Sequence, residues 1–80
     1  MSRQHHYIKC ETHYYQAVEK GEKKFEIRIN DRNYKVGDMV YLKEIVNGIP
    51  TGRKFPPIEI KYIFYGGECG LDKNYCIFNW

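Results

Sequence analysis

Three charged residues follow one glycine at a spacing that could hold a polar ligand. Lys23, Glu26 and Arg28 come after Gly21 in the order G-x-K-x-x-E-x-R. Residues two apart on a strand project from the same face, so Glu26 and Arg28 can pair or line one pocket. A carboxylate there can accept a hydrogen bond from a base amino group, and a guanidinium can bind phosphate or a carbonyl edge. The alternative is a charge ladder on a solvated face, where each pair contributes about 0–1 kcal/mol.

The basic surplus of the chain lies around this motif. Residues 20–35 carry six basic and three acidic side chains, and the rest of the chain carries seven of each sign. The whole net charge of +3 therefore belongs to that segment. A local surplus of this kind is expected for a polyanionic partner, and equally for a strand and loop that simply keep the protein in solution.

Short elements must position these residues. Thr12 predicts a helix N-cap, the spacing of Tyr14, Ala17 and Val18 predicts an apolar helix stripe, and Gly21 predicts the end of the helix. The dipeptide Asn47-Gly48 predicts a hairpin turn. Strands are predicted at residues 7–10, 24–29, 39–46, 58–65 and 75–79. The sequence therefore predicts an α+β domain with about five strands.

Alternation along two strands predicts which side chains face the core. Lys24, Glu26 and Arg28 share one face of the 24–29 strand, opposite Phe25, Ile27 and Ile29. Most apolar side chains of an 80-residue domain are expected to point inward, because so small a core leaves a thin stability margin. In the 58–65 strand the expected inward set is Ile58, Ile60, Tyr62 and Phe64.

An ordered set of motifs runs along nearly the whole chain. It comprises His6-x-x-Lys9, Gly21-x-Lys23-Lys24-Phe25-Glu26-Ile27-Arg28-x-Asn30-Asp31-Arg32, Val36-Gly37-Asp38, Leu42-x-Glu44 and Thr51-Gly52-Arg53. This set resembles the DUF3850 family of small uncharacterised bacterial and phage proteins, which is grouped with the ASCH domains in the PUA-like superfamily. The resemblance implies a small PUA-like (ASCH-like) β-barrel with one or two short helices, spanning residues 1–80 as a single domain.

The resemblance also implies a ligand and a site. The expected partner is nucleic acid, RNA in preference to DNA, or a modified nucleotide, bound in a cleft beside the motif strand. The matching ligand-binding positions are Lys9, Lys23, Glu26, Arg28, Asp31, Arg32, Glu44 and Arg53. Among these, Asp31 is expected to fix a turn or orient an arginine. Base stacking could come from Tyr7, Tyr34 or Tyr41, but a core position is expected for each of them.

Two other functions stay open. Some ASCH proteins are amidohydrolases that act on a modified cytidine, and in such an enzyme Lys23 and Glu26 would be the catalytic residues here. This chain has Glu26 where those enzymes have a threonine, so binding is ranked above catalysis. The second alternative is a protein-binding adaptor of phage or mobile-element origin, which an exposed edge strand or a large apolar patch would indicate.

The composition argues against a secreted, a membrane-spanning or a metal-binding protein. Three cysteines, with no C-x-x-C pair, do not form the disulfide framework of a secreted mini-domain. The first six residues lack the apolar core of a signal peptide, and no apolar run is long enough to span a bilayer. We therefore expect a cytoplasmic protein that does not bind membranes, and we expect it to be a monomer. The histidines and cysteine near the start, His5, His6, Cys10 and His13, have no zinc-site spacing, so no metal or cofactor is expected.

Overall fold

The computed structural model describes residues 3–80, so the first two residues of the N-terminal segment considered above lie outside the described part. The order is β1 (His5–Glu11), α1 (Thr12–Glu19), β2 (Phe25–Ile29), β3 (Met39–Val46), β4 (Ile49–Lys54), β5 (Ile58–Glu59), β6 (Tyr62–Tyr65) and β7 (Tyr75–Asn79). The α+β class is confirmed. No helix within residues 3–80 has the length and apolar character needed to cross a membrane.

The strands form two sheets. In the first sheet β3 is central: it pairs in parallel with β1 on one side and antiparallel with β4 and β5 on the other. In the second sheet β7 lies between β2 and β6, and both pairings are antiparallel. Within residues 3–80, no strand of one sheet pairs with a strand of the other. The two sheets therefore do not form the closed barrel that the sequence predicts.

The core lies between the two sheets and helix α1. Alternate residues of β1 and β3 face it, and α1 contributes Tyr15 and Val18. Tyr34 packs at its centre, with its ring 5.0 Å from that of Phe78 and 4.6 Å from that of His6. Tyr34 thus has the core position that the sequence predicts.

Helix α1 differs from its prediction at both the cap and the stripe. Glu11 occupies the N-cap position, and the Thr12 hydroxyl donates to Glu44 instead of capping the helix. Tyr15 is buried where Tyr14 was expected, and Tyr14 is exposed. The helix does end as predicted, because Gly21 takes a left-handed φ of 76° that a side chain would disfavour. The Asn47-Gly48 turn also has positive φ at both residues, as a hairpin of this type requires.

The second sheet shows its apolar side to solvent. Phe25, Ile27 and Ile29 are all exposed, with half of Ile27 (50%) accessible to solvent, whereas Glu26 on the opposite face is buried. These three residues are exceptions to the expectation that apolar side chains mostly point inward. On β7 and β6 the same outward face continues through residues that are exposed or half-buried, namely Tyr75, Ile77, Phe64 and Tyr62.

The predicted strand 58–65 is two strands in different sheets. Ile58 pairs with β3 in the first sheet, whereas Tyr62 begins the pairing with β7 in the second. The crossing at residues 60–61 reverses the alternation, so Ile63 is buried and Tyr62 is 64% exposed. Ile58 and Ile60 face the core as predicted, and the inward assignment of Tyr62 and Phe64 is wrong.

Candidate ligand site between two strand edges

The open edges of the two sheets face each other across a gap. β1 is the outer strand of the first sheet and β2 is the outer strand of the second. Arg28 on β2 donates from Nη2 to the Lys9 carbonyl oxygen at 2.8 Å, and Arg32 donates from Nη1 to the Tyr7 carbonyl oxygen at 2.9 Å. Side chains therefore satisfy the edge carbonyls that a neighbouring strand would otherwise satisfy. We call this gap, with the residues that line it, the edge cleft.

Glu26 organises the polar side of the cleft. Its side chain is buried, 4% of the residue being exposed, and it contacts two cations. Lys23 Nζ donates to Oε1, and Arg28 Nε donates to Oε2 at 3.0 Å. Lys23 also donates to the Phe25 carbonyl oxygen at 2.6 Å. The alternation of β2 places Glu26 and Arg28 on one face, as predicted, and that face looks into the cleft.

Two cavities adjoin in the edge cleft. One has a volume of about 440 Å³ and lies towards the helix, and the other has a volume of about 540 Å³ and lies towards the turn after β2. They share Lys9, Ile27 and Arg28 in their walls, so Arg28 stands between them. The first is otherwise lined by Cys10, Glu11, Tyr14, Lys23, Phe25 and Glu26. The second is otherwise lined by Tyr7, Ile8, Ile29, Asp31, Arg32, Tyr34 and Tyr75.

Charge is distributed unevenly between the cavities. In the first cavity, the three cations Lys9, Lys23 and Arg28 face two carboxylates, Glu11 and Glu26, so its net charge is +1. The second cavity has three cations and one carboxylate, so its net charge is +2. Both cavities are therefore positively charged, and apolar or aromatic residues form part of the wall of each. A positive concavity with flat apolar walls can hold an anionic group beside a planar one.

Glu11 is a site residue that the sequence prediction missed. One of its carboxylate oxygens is buried and has no hydrogen-bond partner within residues 3–80. A buried acceptor without a donor costs free energy, so a donor that a small shift of the Glu11 side chain brings within reach would be stabilising. Nothing in the strand pattern marked Glu11, since it stands at the junction of β1 and α1.

Tyr14 was also missed as a cleft residue, and Tyr7 was named as a possible stacking residue but was expected in the core. Tyr14 was predicted to be a core residue of the helix, but its exposed ring lines the first cavity with Lys23 Nζ 5.6 Å from the ring centroid. Tyr7 is 55% exposed, so its predicted core position is wrong. Local spacing could not reveal either case, because the cavity forms only when β1 and β2 approach each other.

The cysteine in the first cavity is not a nucleophile. Burial, together with the nearby carboxylate of Glu26, raises the pKa of the Cys10 thiol to about 11, against the lowering effect of Lys23 and Arg28. A thiol with so high a pKa stays protonated at neutral pH and is inert.

Six of the eight predicted ligand residues lie around the edge cleft, and two do not. Lys9, Lys23, Glu26, Arg28, Asp31 and Arg32 line one or both cavities. Glu44 and Arg53 line neither cavity and belong to a separate cluster. Glu44 accepts hydrogen bonds from Thr51 at 2.7 Å and Thr12 at 2.8 Å, and these two hydroxyls hold the pKa of the Glu44 carboxyl below its ordinary value.

The second cluster ties the helix to the first sheet. Arg53 on β4 contacts Glu19 at the end of α1, and its Nη1 lies 3.7 Å from Glu44 Oε1. Its guanidinium also lies 5.4 Å from the ring centroid of Tyr15. The polar contacts of this cluster run between α1, β3 and β4, and they account for Glu44 and Arg53 without a ligand.

A family model and a phage protein match this chain. The family model described as "Domain of unknown function (DUF3850)" matches residues 5–80. The chain is also similar to the "Uncharacterized 12.9 kDa protein in GpA 3'region" of Escherichia phage P2, with 45% identity over 49 residues. That alignment covers 61% of this chain and 45% of the phage protein, so the chain spans about half the length of this relative. With nearly all of its residues matched by the family model, the chain belongs to the DUF3850 family.

Proposed function

We propose that this domain binds nucleic acid, RNA in preference to DNA, or a modified nucleotide, in the edge cleft. We also propose that its two sheets are an open form of the PUA-like, ASCH-like barrel and that it acts in the cytoplasm. The observation that carries the binding proposal is the convergence of four cations on adjoining cavities between β1 and β2, namely Lys9, Lys23, Arg28 and Arg32.

Two of the four cations in the cleft are bound to Glu26, and the other two are free to bind a ligand. Lys23 and Arg28 are engaged by Glu26, so much of their charge is compensated inside the protein. Arg32 and Lys9 are exposed, and Arg32 donates a hydrogen bond to the Tyr7 carbonyl oxygen. We assign phosphate binding to Arg32 and Lys9, because an exposed guanidinium or ammonium can exchange water for phosphate oxygens at little cost.

The acceptor for a base amino group is reassigned from Glu26 to Glu11. Both oxygens of Glu26 already accept from cations, so little of its acceptor capacity remains. Glu11 lines the same cavity, and within residues 3–80 one of its oxygens has no donor. A base held there would lie beside the exposed ring of Tyr14.

Hydrolysis of a modified cytidine is the second candidate. The contact between Lys23 and Glu26 favours it, since a lysine and a carboxylate together can activate water. Arg28 weighs against it, because both oxygens of Glu26 already accept from cations and little acceptor capacity remains for a water molecule. Incubating the protein with N4-acylated cytidine, beside the Lys23→Met variant, tests this candidate. Turnover that disappears in the variant would replace binding by catalysis as the function of the cleft.

Fluorescence anisotropy with a labelled RNA of about 12 nucleotides, and with DNA of the same sequence, tests the binding proposal. We expect affinity for RNA to fall between about 50 and 200 mM salt, with a logarithmic slope of roughly −0.7 per phosphate contact. Arg32→Gln should weaken binding several-fold and reduce the magnitude of that slope by about 0.7. Lys73→Gln, which removes an exposed charge outside the cleft, is the matched control.

Affinity that does not depend on salt would contradict the proposal. Equal losses in Arg32→Gln and Lys73→Gln would also contradict it, because they would indicate binding by overall charge and not by the cleft.

A further inference from the structure

The outward face of the first sheet carries an aromatic pair next to lysines. Tyr7 on β1 and Tyr41 on β3 are register partners, so their rings project side by side from the same face. Their centroids are 4.5 Å apart and their planes differ by 12°. The ring of His5 continues the row, 5.7 Å from Tyr41. The hydrogen bond of 2.7 Å between His5 Nδ1 and the Tyr41 hydroxyl holds the row in place.

A third cavity opens beside this aromatic pair. Its volume is about 420 Å³, and it lies between the two tyrosine rings and the segment Phe55-Pro56-Pro57. The prolines fix the backbone φ of that wall, so the wall is stiff before any ligand binds. Lys43 and Lys54 complete the lining, with Lys43 Nζ 5.7 Å from the ring centroid of Tyr7. We call this cavity, lined by residues 7, 41, 43 and 54–57, the aromatic slot.

The aromatic slot is adjacent to the edge cleft. Tyr7 lines both the slot and the 540 Å³ cavity of the cleft, and its carbonyl accepts the hydrogen bond from Arg32. Charge along this path is mostly positive, since Lys54 and Lys43 in the slot are followed by Arg32 and Lys9 in the cleft. A chain of negative groups can therefore extend from one cavity to the other across Tyr7.

We propose that the aromatic slot stacks unpaired bases of a single-stranded nucleic acid whose backbone continues into the edge cleft. This inference rests on the proposed function and specifies its ligand as a single strand. A flat, apolar slot beside ammonium groups matches a base joined to a phosphate, and aromatic rings stack on any base because every base has a π face. In a duplex the faces of the bases are covered, so only an unpaired strand can enter the slot.

The test compares oligonucleotide binding by three tyrosine variants. Tyr7→Leu keeps an apolar strand residue but removes the ring, and we expect a loss of affinity of roughly 5- to 150-fold for single-stranded RNA or DNA. Tyr7→Phe keeps the ring, and its affinity should stay within about two-fold of the original protein. Tyr62→Leu removes a tyrosine that is also largely exposed but lies on the second sheet, and its affinity should not change.

Two further readouts separate this inference from the proposed function. A 2-aminopurine base in the oligonucleotide should lose fluorescence on binding to the original protein and should not lose it with Tyr7→Leu, because stacking quenches it. The duplex of the same sequence should bind more weakly than the single strand. If Arg32→Gln weakens binding while Tyr7→Leu does not, or if the duplex binds as tightly, the slot proposal is overturned and binding in the cleft stands. If the original protein binds neither strand, both proposals are overturned.

Discussion

Replacing Glu26 by glutamine removes the one negative charge between two cations. Glutamine has nearly the same shape, and its carbonyl oxygen can still accept from Lys23 or Arg28, but its NH₂ group would face the other cation. Removing one partner of a buried ion pair costs about 3–5 kcal/mol when the remaining charge is sealed from water. Here the side chains of Lys23 and Arg28 keep 16% and 27% of their exposure, so both cations can recover some hydration. We therefore expect a loss of about 2–3 kcal/mol in the free energy of unfolding.

Urea unfolding followed by circular dichroism measures this loss. In a thermal unfolding experiment, the same loss should lower the melting temperature of a domain of this size by roughly 8–24 °C. The matched control is Glu59→Gln, the same substitution in an exposed pair with Lys61 at 3.5 Å, where we expect a change of less than about 0.5 kcal/mol. Adding Lys23→Met to the Glu26→Gln variant should cost less than Lys23→Met alone. A Glu26→Gln loss no larger than that of the control would refute the assignment of Glu26 as the organising charge of the cleft.

Three further outcomes follow from burial and charge. Ile27→Ala should cost less than about 1 kcal/mol because Ile27 faces solvent, whereas Leu42→Ala in the core should cost about 2–5 kcal/mol in the same urea experiment. Burial opposes ionisation of Asp38, but three hydrogen bonds outweigh it and hold the pKa of Asp38 below its ordinary value. The resulting stability is present above about pH 4 and is lost as pH falls through the lower native pKa, so Asp38→Asn should lose less stability on acidification than the original protein. Ellman's reagent at pH 8 should label Cys69, which is exposed, and leave Cys10 unlabelled until the protein unfolds; rapid labelling of Cys10 in the native state would contradict its burial.

Features set by local chemistry could be predicted from the sequence. The left-handed end of α1 at Gly21, the hairpin at Asn47-Gly48 and the last strand, 75–79, all follow from backbone preferences or alternation within a few residues. The shared face of Glu26 and Arg28 follows from the period of a strand. Each of these needs no knowledge of distant partners.

Features set by distant partners could not be predicted. Alternation along β2 separates two faces but does not say which of them is buried. The charged face is the one that packs towards β1, where Arg28 donates to the Lys9 carbonyl oxygen. The parallel pairing of β1 with β3 joins segments more than thirty residues apart, and the crossing at residues 60–61 depends on which sheet has a free edge. Closure into a barrel is a property of the same long-range pairings, so five predicted strands could not decide it.

The candidate site divides in the same way. Six of the residues predicted from the motif lie around the cleft. They could be predicted together because most of them lie on one strand and the turn after it. Glu44 and Arg53 were grouped with them by the motif alone, and they lie in the cluster that ties α1 to the first sheet. Glu11 was missed because its role comes from a buried oxygen that has no partner in the described part of the chain, and only the packing of β1 against its neighbours buries that oxygen.

An NMR titration of the ¹⁵N-labelled protein with single-stranded RNA tests the central claim most directly. We expect the largest amide shifts along the facing edges of β1 and β2 and in the turn after β2, at Lys9, Glu11, Arg28 and Arg32, and we expect added salt to reverse them. Shifts that avoid these two strands and gather around β4, or a spectrum that does not change at millimolar RNA, would contradict binding in the edge cleft.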